Sequence, residues 1–206
     1  MLTVGLTGSI AVGKTFVCSV LREAGVRVLD ADVTARDVVA KGTEGLVEIV
    51  KHFGKDILTI DGELDRKKLG TLVFADAEKR ALLNSIVHPR VFAVQDGWLR
   101  DAAVADPDGI AVIDAALMIE SGGYKRFNKI IVVWCEPVIQ LNRLMLRDNL
   151  SREDAERRID VQMPQDAKKL YADHLIDTSH GFDDTRRQTL TLVEVLRQQA
   201  AISDEC

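Results

Sequence analysis

Apolar residues in this chain fall into short, nearly continuous runs separated by longer stretches with helical spacing. The runs are 2–6 (Leu2, Val4, Leu6), 26–29, 110–113, 130–134 and a shorter one at 175–176. Unbroken apolar runs suit parallel strands covered on both faces, whereas a half-exposed strand would alternate. The intervening spacing predicts helices over 16–21, 33–40, 66–72, 137–148 and 152–162. The succession is βαβ, which predicts an α/β fold with a mostly parallel sheet of about five strands flanked by helices. In such sheets ligands gather at the carboxyl ends of the strands. Gly8, Asp30, Asp32, Asp114 and Glu136 fall at those predicted ends.

Two stretches exceed what a five-strand core needs. Residues 43–104 hold several helical segments, with Gly42, Gly54, Gly62 and Gly70 punctuating the first half. They read as a helical insertion within a single domain spanning 1–206. The second stretch, 137–172, is rich in arginine. Pro137 suits a helix start, and Ser151 followed by Asp154 suits a capping box. A helical hairpin over 137–148 and 152–162 is expected, turning at 148–150. The proline of His88-Pro89 predicts a helix break, and residues 198–206 are expected to fray.

The strand at 2–6 runs straight into Gly8-Ser9-Ile10-Ala11-Val12-Gly13-Lys14-Thr15, which fills the pattern G-x-x-x-x-G-K-[ST]. Strand, glycine-rich turn and helix follow in the order that makes a phosphate cradle. The glycines allow a tight turn, backbone N–H groups point at phosphate oxygens, and the helix start faces them. Lys14 would reach the β- and γ-phosphates, and the Thr15 hydroxyl would ligate Mg²⁺. The loop indicates a nucleoside triphosphate without naming an acceptor.

Composition narrows the partners. Lys and Arg total 27 and Asp and Glu 32, a net charge of −5 that argues against a polyanion binder held by bulk charge. Neither nucleic acid nor a membrane is therefore expected as a partner, and no apolar run is long enough to cross a bilayer. Cys18, Cys135 and Cys206 are widely spaced and make no C-x-x-C. The first two suit core positions and the last a free thiol. The chain shows no leader pattern, so a reducing cytoplasm and a monomeric protein are expected.

Gln140, Arg143 and Arg147 share one face of the predicted helix, with Arg152, Arg157 and Arg158 on the second arm. A mobile arginine-bearing hairpin suits a lid that neutralises charge during phosphoryl transfer. The alternative is a solvated surface with pairs such as Arg157–Glu153 and Arg147–Asp148. Strand alternation would place Asp30 and Asp32 on one side. There a carboxylate could accept the acceptor's proton or hold Mg²⁺ through water, while Asp32 could equally cap the next helix. Asp114 resembles the acidic end of a Walker B strand. On pattern alone His88 and Asp65-Arg66 are caps and turns.

The ordered set of segments resembles one family, the dephospho-coenzyme A kinases. The matching pieces are 5–8 with Gly13-Lys14-Thr15, Asp30-Ala31-Asp32 with Ala35-Arg36, Phe53-Gly54, and Leu64-Asp65-Arg66 with Leu69. Val73-Phe74, Leu83-Asn84 with His88-Pro89, 114–120, Gln140 with Arg143 and Arg147, Gln162, and Ala172-Asp173 follow in the family's order. The resemblance implies a P-loop kinase with a helical acceptor-binding insertion and a helical lid. It implies ATP and Mg²⁺, and phosphorylation of the ribose 3′-hydroxyl of dephospho-coenzyme A, the final step of coenzyme A biosynthesis. It makes Asp32 the base or the carboxylate that orients the acceptor, puts Arg143 and Arg147 over ATP, and puts Arg66, His88, Asp114 and Glu120 near the acceptor. The chain departs from the family pattern in the apolar loop residues 10–12, in the 115–119 run that lacks its usual proline and aromatic, and at Thr178, where Asn is usual. Another nucleoside or metabolite kinase of the same architecture is the first alternative. A GTP-dependent switch is disfavoured because Asn128-Lys129 precedes a strand and is followed by Ile130-Ile131 rather than by x-Asp.

Overall fold

A computed structural model of the chain describes residues 1–202. It divides into two compact units, Met1–Asp30 with the chain from Leu99 onward, and Ala31–Trp98.

The first unit carries five strands: β1 (Leu2–Thr7), β2 (Arg27–Asp30), β3 (Ile110–Asp114), β4 (Lys129–Trp134) and β5 (His174–Asp177). Every pairing is parallel, in the order β2-β3-β1-β4-β5. The predicted strands are present, each within a residue or so of its expected bounds. β1 is central, and its Val4 and Leu6 are fully buried. Gly5 is required there, because a Cβ would lie 2.5 Å from Met118 Sδ and 2.8 Å from Phe127. The helices are α1 (Lys14–Glu23), α6 (Pro137–Asp148), α7 (Arg152–Asp160), α8 (Gln165–Lys169) and α9 (Phe182–Ile202). Val17, Cys18 and Leu21 of α1 join Leu192, Val193 and Leu196 of α9 in one core with Val4, Leu6, Val112, Ile131 and Val133. Cys135 is buried in that core as well, and Cys206 lies outside the described residues. The expected fraying from 198 is not seen as far as Ile202, because α9 runs to there with Ala200 buried in the core.

The hairpin matches its sequence signals. Pro137 opens α6, Asn149 turns in the left-handed region (φ 51°), and Ser151 Oγ accepts the Asp154 N–H at 3.1 Å as N-cap of α7. α7 closes at Asp160, two residues short of the expected 162.

The second unit holds α2 (Ala31–Asp37), α3 (Glu44–Phe53), α4 (Arg66–Phe74) and most of α5 (Ala77–Ala105). Val39, Ile49, Ile57, Leu69 and Ile86 form its core. Thr43 and Asp65 cap α3 and α4 with their side chains. The expected break at Pro89 does not occur: α5 runs through it. A proline here removes one N–H, which orphans the carbonyl four residues back. That residue, Ser85, is exposed, as is Pro89, so water can serve the carbonyl while buried Ile86 and Val91 hold the helix on either side.

Candidate active site at the carboxyl ends of the strands

Residues 8–13 connect β1 to α1, and the helix begins at Lys14, two residues earlier than its apolar pattern suggested. A Cβ on Gly8 would stand 2.5 Å from Val133 O and 2.9 Å from the Val12 side chain. Gly13 adopts φ 89° as N-cap and contributes no side-chain bond, and the first turn of α1 carries no acid. The helix start is therefore suited to an anion. Ala11 also sits in the left-handed region at φ 60°, a conformation that costs a residue with a Cβ roughly 1–2 kcal/mol. Val12 is fully buried and anchors the loop in the core below it. Ser9 is buried, and its Oγ has no hydrogen-bond partner among the described residues. A buried hydroxyl lacking a partner beside such a helix start fits a polar ligand.

Lys14 Nζ pairs with Asp114 Oδ1, and Cys18 Sγ donates to Asp114 Oδ2 at 3.3 Å. Asp114 is 6% exposed at the end of β3, in register with Asp30 at the end of β2. Burial, reinforced by the Asp114 charge and hydrogen bond, pushes the Cys18 thiol up to about 12, so it remains a donor. Parallel pairing thus brings the loop lysine to the strand-end carboxylate.

The lid residues separate in the structure. Gln140 and Arg143 turn inward; Arg147, one turn on, faces outward. Arg143 donates from Nη1 to Thr178 Oγ1 and from Nη2 to Thr178 O, both at 2.8 Å. Thr178 Oγ1 in turn donates to Val12 O at 2.7 Å, which ties the arginine to the phosphate loop. Arg147 bonds Asp148 at 2.8 and 3.1 Å, and Arg158 bonds the same carboxylate at 2.9 Å. The Arg147 hydrogen bond, helped by the charges of Arg147 and Arg158, holds the Asp148 carboxyl below its ordinary range. Arg147 here takes the surface pairing that its sequence also allowed.

Ile10, expected to point its N–H at phosphate, instead donates it to Gln162 Oε1 at 2.8 Å. Asp32 does not continue the strand alternation assigned to it. β2 ends at Asp30 and α2 starts at Ala31, so Asp32 is an exposed acid in the first turn of a helix rather than its N-cap. Within the same unit Arg66 opens α4 and donates to Arg36 O at 3.1 Å, and the His88 ring lies 5.9 Å from that of Phe92. Glu120 pairs with Lys168 at 2.9 Å. Lys168 is 0% exposed and also donates to Ala116 O at 2.8 Å, so it supports the 115–120 run from behind.

Lys168 was missed by sequence reasoning, because nothing in the Lys168-Lys169 pair marks one lysine as buried. Gln165, whose Oε1 accepts the Cys135 N–H at 3.1 Å, was missed because nothing in the chain distinguishes a structural amide from a solvated one. Thr178 was visible only as a departure from the family pattern.

Among the described residues no group of three or more His, Cys, Asp or Glu is placed to hold a metal. Magnesium bound with a triphosphate needs less, since phosphates and water supply most of its oxygens. The exposed Thr15 hydroxyl and the Asp114 carboxylate are hard oxygen donors of the right kind, and the partnerless Ser9 hydroxyl leaves the loop ready for a polar group. The residues fit.

The chain as a whole is similar to proteins of one family. The CoaE family model, dephospho-CoA kinase, matches residues 2–184. A dephospho-CoA kinase of Listeria innocua is 46% identical over 194 residues, covering 93% of this chain and 96% of that protein. The structure of TT1252 from Thermus thermophilus superposes with a TM-score of 0.81 at 28% identity, covering 94% of this chain and 96% of that one. The dephospho-CoA kinase from Campylobacter jejuni superposes with a TM-score of 0.72 at 27% identity, covering 96% and 98%. A phosphate loop at the ends of five parallel strands is common to many kinases, but a match along residues 2–184 is not, and the chain belongs to the dephospho-CoA kinase family.

Proposed function

We propose that this enzyme transfers the γ-phosphoryl group of ATP to the ribose 3′-hydroxyl of dephospho-coenzyme A, giving coenzyme A and ADP. The observation that carries the reading is the Lys14–Asp114 pair at the start of α1, in a chain matched by its family along residues 2–184. A phosphate loop alone would leave the acceptor open.

The phosphates sit against the N–H groups at the start of α1, with Lys14 beside them. The ammonium neutralises charge as it spreads over the transferring group. Lys14 exchanges its partner Asp114 for phosphate oxygens, and the freed carboxylate, with the Thr15 hydroxyl, is then available to Mg²⁺. Bound there, magnesium would neutralise β- and γ-phosphate charge. Arg143, held on Thr178, adds positive charge from α6. Asp32 accepts the proton of the attacking hydroxyl, a role that suits an exposed carboxylate. Arg66 and His88, with Glu120 positioned by Lys168, serve the acceptor. Residues 43–104 act as the acceptor-binding insertion and 137–172 as the lid.

Mixing the protein with ATP, Mg²⁺ and dephospho-coenzyme A, then separating the products, tests the reading. Coenzyme A and ADP are expected in equal amounts. ADP without coenzyme A, or phosphorylation of a nucleoside monophosphate or shikimate in its place, refutes it.

A further inference from the structure

Four consecutive hydrogen bonds run from the end of β4 to the phosphate loop. The Cys135 N–H donates to Gln165 Oε1 at 3.1 Å, and Gln165 Nε2 donates to Gln140 Oε1 at 2.7 Å. Gln140 Nε2 donates to Ile10 O at 2.8 Å, and the Ile10 N–H donates to Gln162 Oε1 at 2.8 Å. Side-chain amides can be flipped without changing shape, but this chain leaves no choice. Its beginning is a backbone N–H, which can only donate, and Ile10 O can only accept. Gln165 must therefore present oxygen to Cys135 and nitrogen to Gln140, and Gln140 must present nitrogen to the loop.

Both backbone groups of Ile10 are thereby fixed by side chains from the hairpin and the α7–α8 segment. The peptide planes on either side of Ile10 lie between Ser9, with its partnerless hydroxyl, and Ala11 in its left-handed conformation. The contact is dry. Leu141, Leu144 and Ala155 form a buried cluster against which Ile10, Ala11 and Ile159 pack. Gln140 is 2% exposed. An apolar loop tip can be held this way; a solvated glycine and serine tip would have water available for the same groups.

We propose that Gln140, oriented by Gln165 and complemented by Gln162, is a positioning residue that sets the phosphate loop for ATP through the two peptide planes of Ile10. The proposal rests on the ATP-binding reading above. It makes a directional prediction, since Gln140 is needed as a donor and Gln162 only as an acceptor.

Gln140→Glu keeps the shape, removes the donor, and sets an oxygen against Ile10 O. Gln162→Glu keeps the acceptor. Steady-state kinetics with ATP and dephospho-coenzyme A varied separately, ATP affinity by calorimetry, and melting temperature test the pair. The dissociation constant and KM for ATP should rise about tenfold to a hundredfold in Gln140→Glu. The KM for dephospho-coenzyme A should stay within about twofold of its original value, and Gln162→Glu, which keeps the acceptor for Ile10 N–H, should weaken ATP binding less than Gln140→Glu does. Gln140→Met, which removes both groups without adding charge, serves if the glutamate variant fails to fold. Unchanged ATP affinity in the Gln140 variants overturns the proposal. So does equal damage from both glutamate substitutions, or a loss of melting temperature with no change in ATP affinity. Failure of the unaltered protein to bind ATP would refute the functional reading, and the relay with it; ATP binding without coenzyme A formation would refute only the acceptor.

Discussion

Replacing Thr178 by Val removes a single hydroxyl that links Arg143 to the phosphate loop. The side chain is 3% exposed. Its Oγ1 donates to Val12 O at 2.7 Å and accepts from Arg143 Nη1 at 2.8 Å. Two backbone bonds survive the change: Thr178 N–H to Trp134 O at 2.9 Å, and Arg143 Nη2 to Thr178 O at 2.8 Å. What is lost is the donor to a buried carbonyl and one partner of a half-buried guanidinium. Leaving a buried acceptor without its donor costs about 1–3 kcal/mol, and a hydrogen bond to a charged group contributes about 1.5–3 kcal/mol. Allowing for the solvent that can reach Arg143, the sum is about 3 kcal/mol. For a chain of this size that lowers the melting temperature by about 6–12 °C. Thermal unfolding of Thr178→Val beside Thr178→Ser measures it. Serine keeps the hydroxyl and gives up one methyl, about 1 kcal/mol. A valine variant melting within about 2 °C of the unaltered protein would show that the Val12 carbonyl does not depend on Thr178, and the reasoning would fail.

Asp32→Asn should lower kcat about 10²–10⁴-fold with ATP affinity unchanged within about twofold; near-normal turnover removes Asp32 as base. Gly8→Ala places a Cβ 2.5 Å from the Val133 carbonyl, backbone that cannot swing aside. It should cost about 1–3 kcal/mol in urea unfolding, and an unchanged midpoint refutes the close approach. The folded protein holds Cys18 protonated to about 12, whereas the unfolded chain releases that proton from about 9. The folded state then binds the extra proton, so stability falls as pH rises across that window, by at most about 1.4 kcal/mol per unit. Burial raises Cys135 in the same direction. Cys18→Ala should show a shallower alkaline decline than the unaltered protein, and an identical slope counts against the buried thiol.

The apolar runs identified all five strands because a parallel strand buried on both faces has to be apolar along its length, as 0% exposure of Val4, Leu6, Ala111 and Val112 illustrates. The phosphate loop was legible because its glycines answer local demands: φ 89° at Gly13 and the backbone approach at Gly8. Helix starts at Pro137 and Ser151 were legible for the same reason. Pro89 was misjudged because its local rule depends on where the helix faces solvent, and that is set by packing. Asp32 was misplaced because strand alternation ends where the strand does, and no residue marks Asp30 as the last.

The sequence by itself determined the order of strands and helices, the phosphate loop and the family, since each depends on near neighbours or on the whole ordered set of motifs. Tertiary structure alone decided which polar groups meet. Gln140 and Arg147 lie on one predicted helix face, yet one holds Ile10 and the other pairs with Asp148. Thr178 reaches Val12 across 166 positions of chain, and Lys168 reaches Ala116 across 52. Hydrogen bonds between such distant residues are fixed by how strands pair and helices pack, and spacing along the chain carries no record of them.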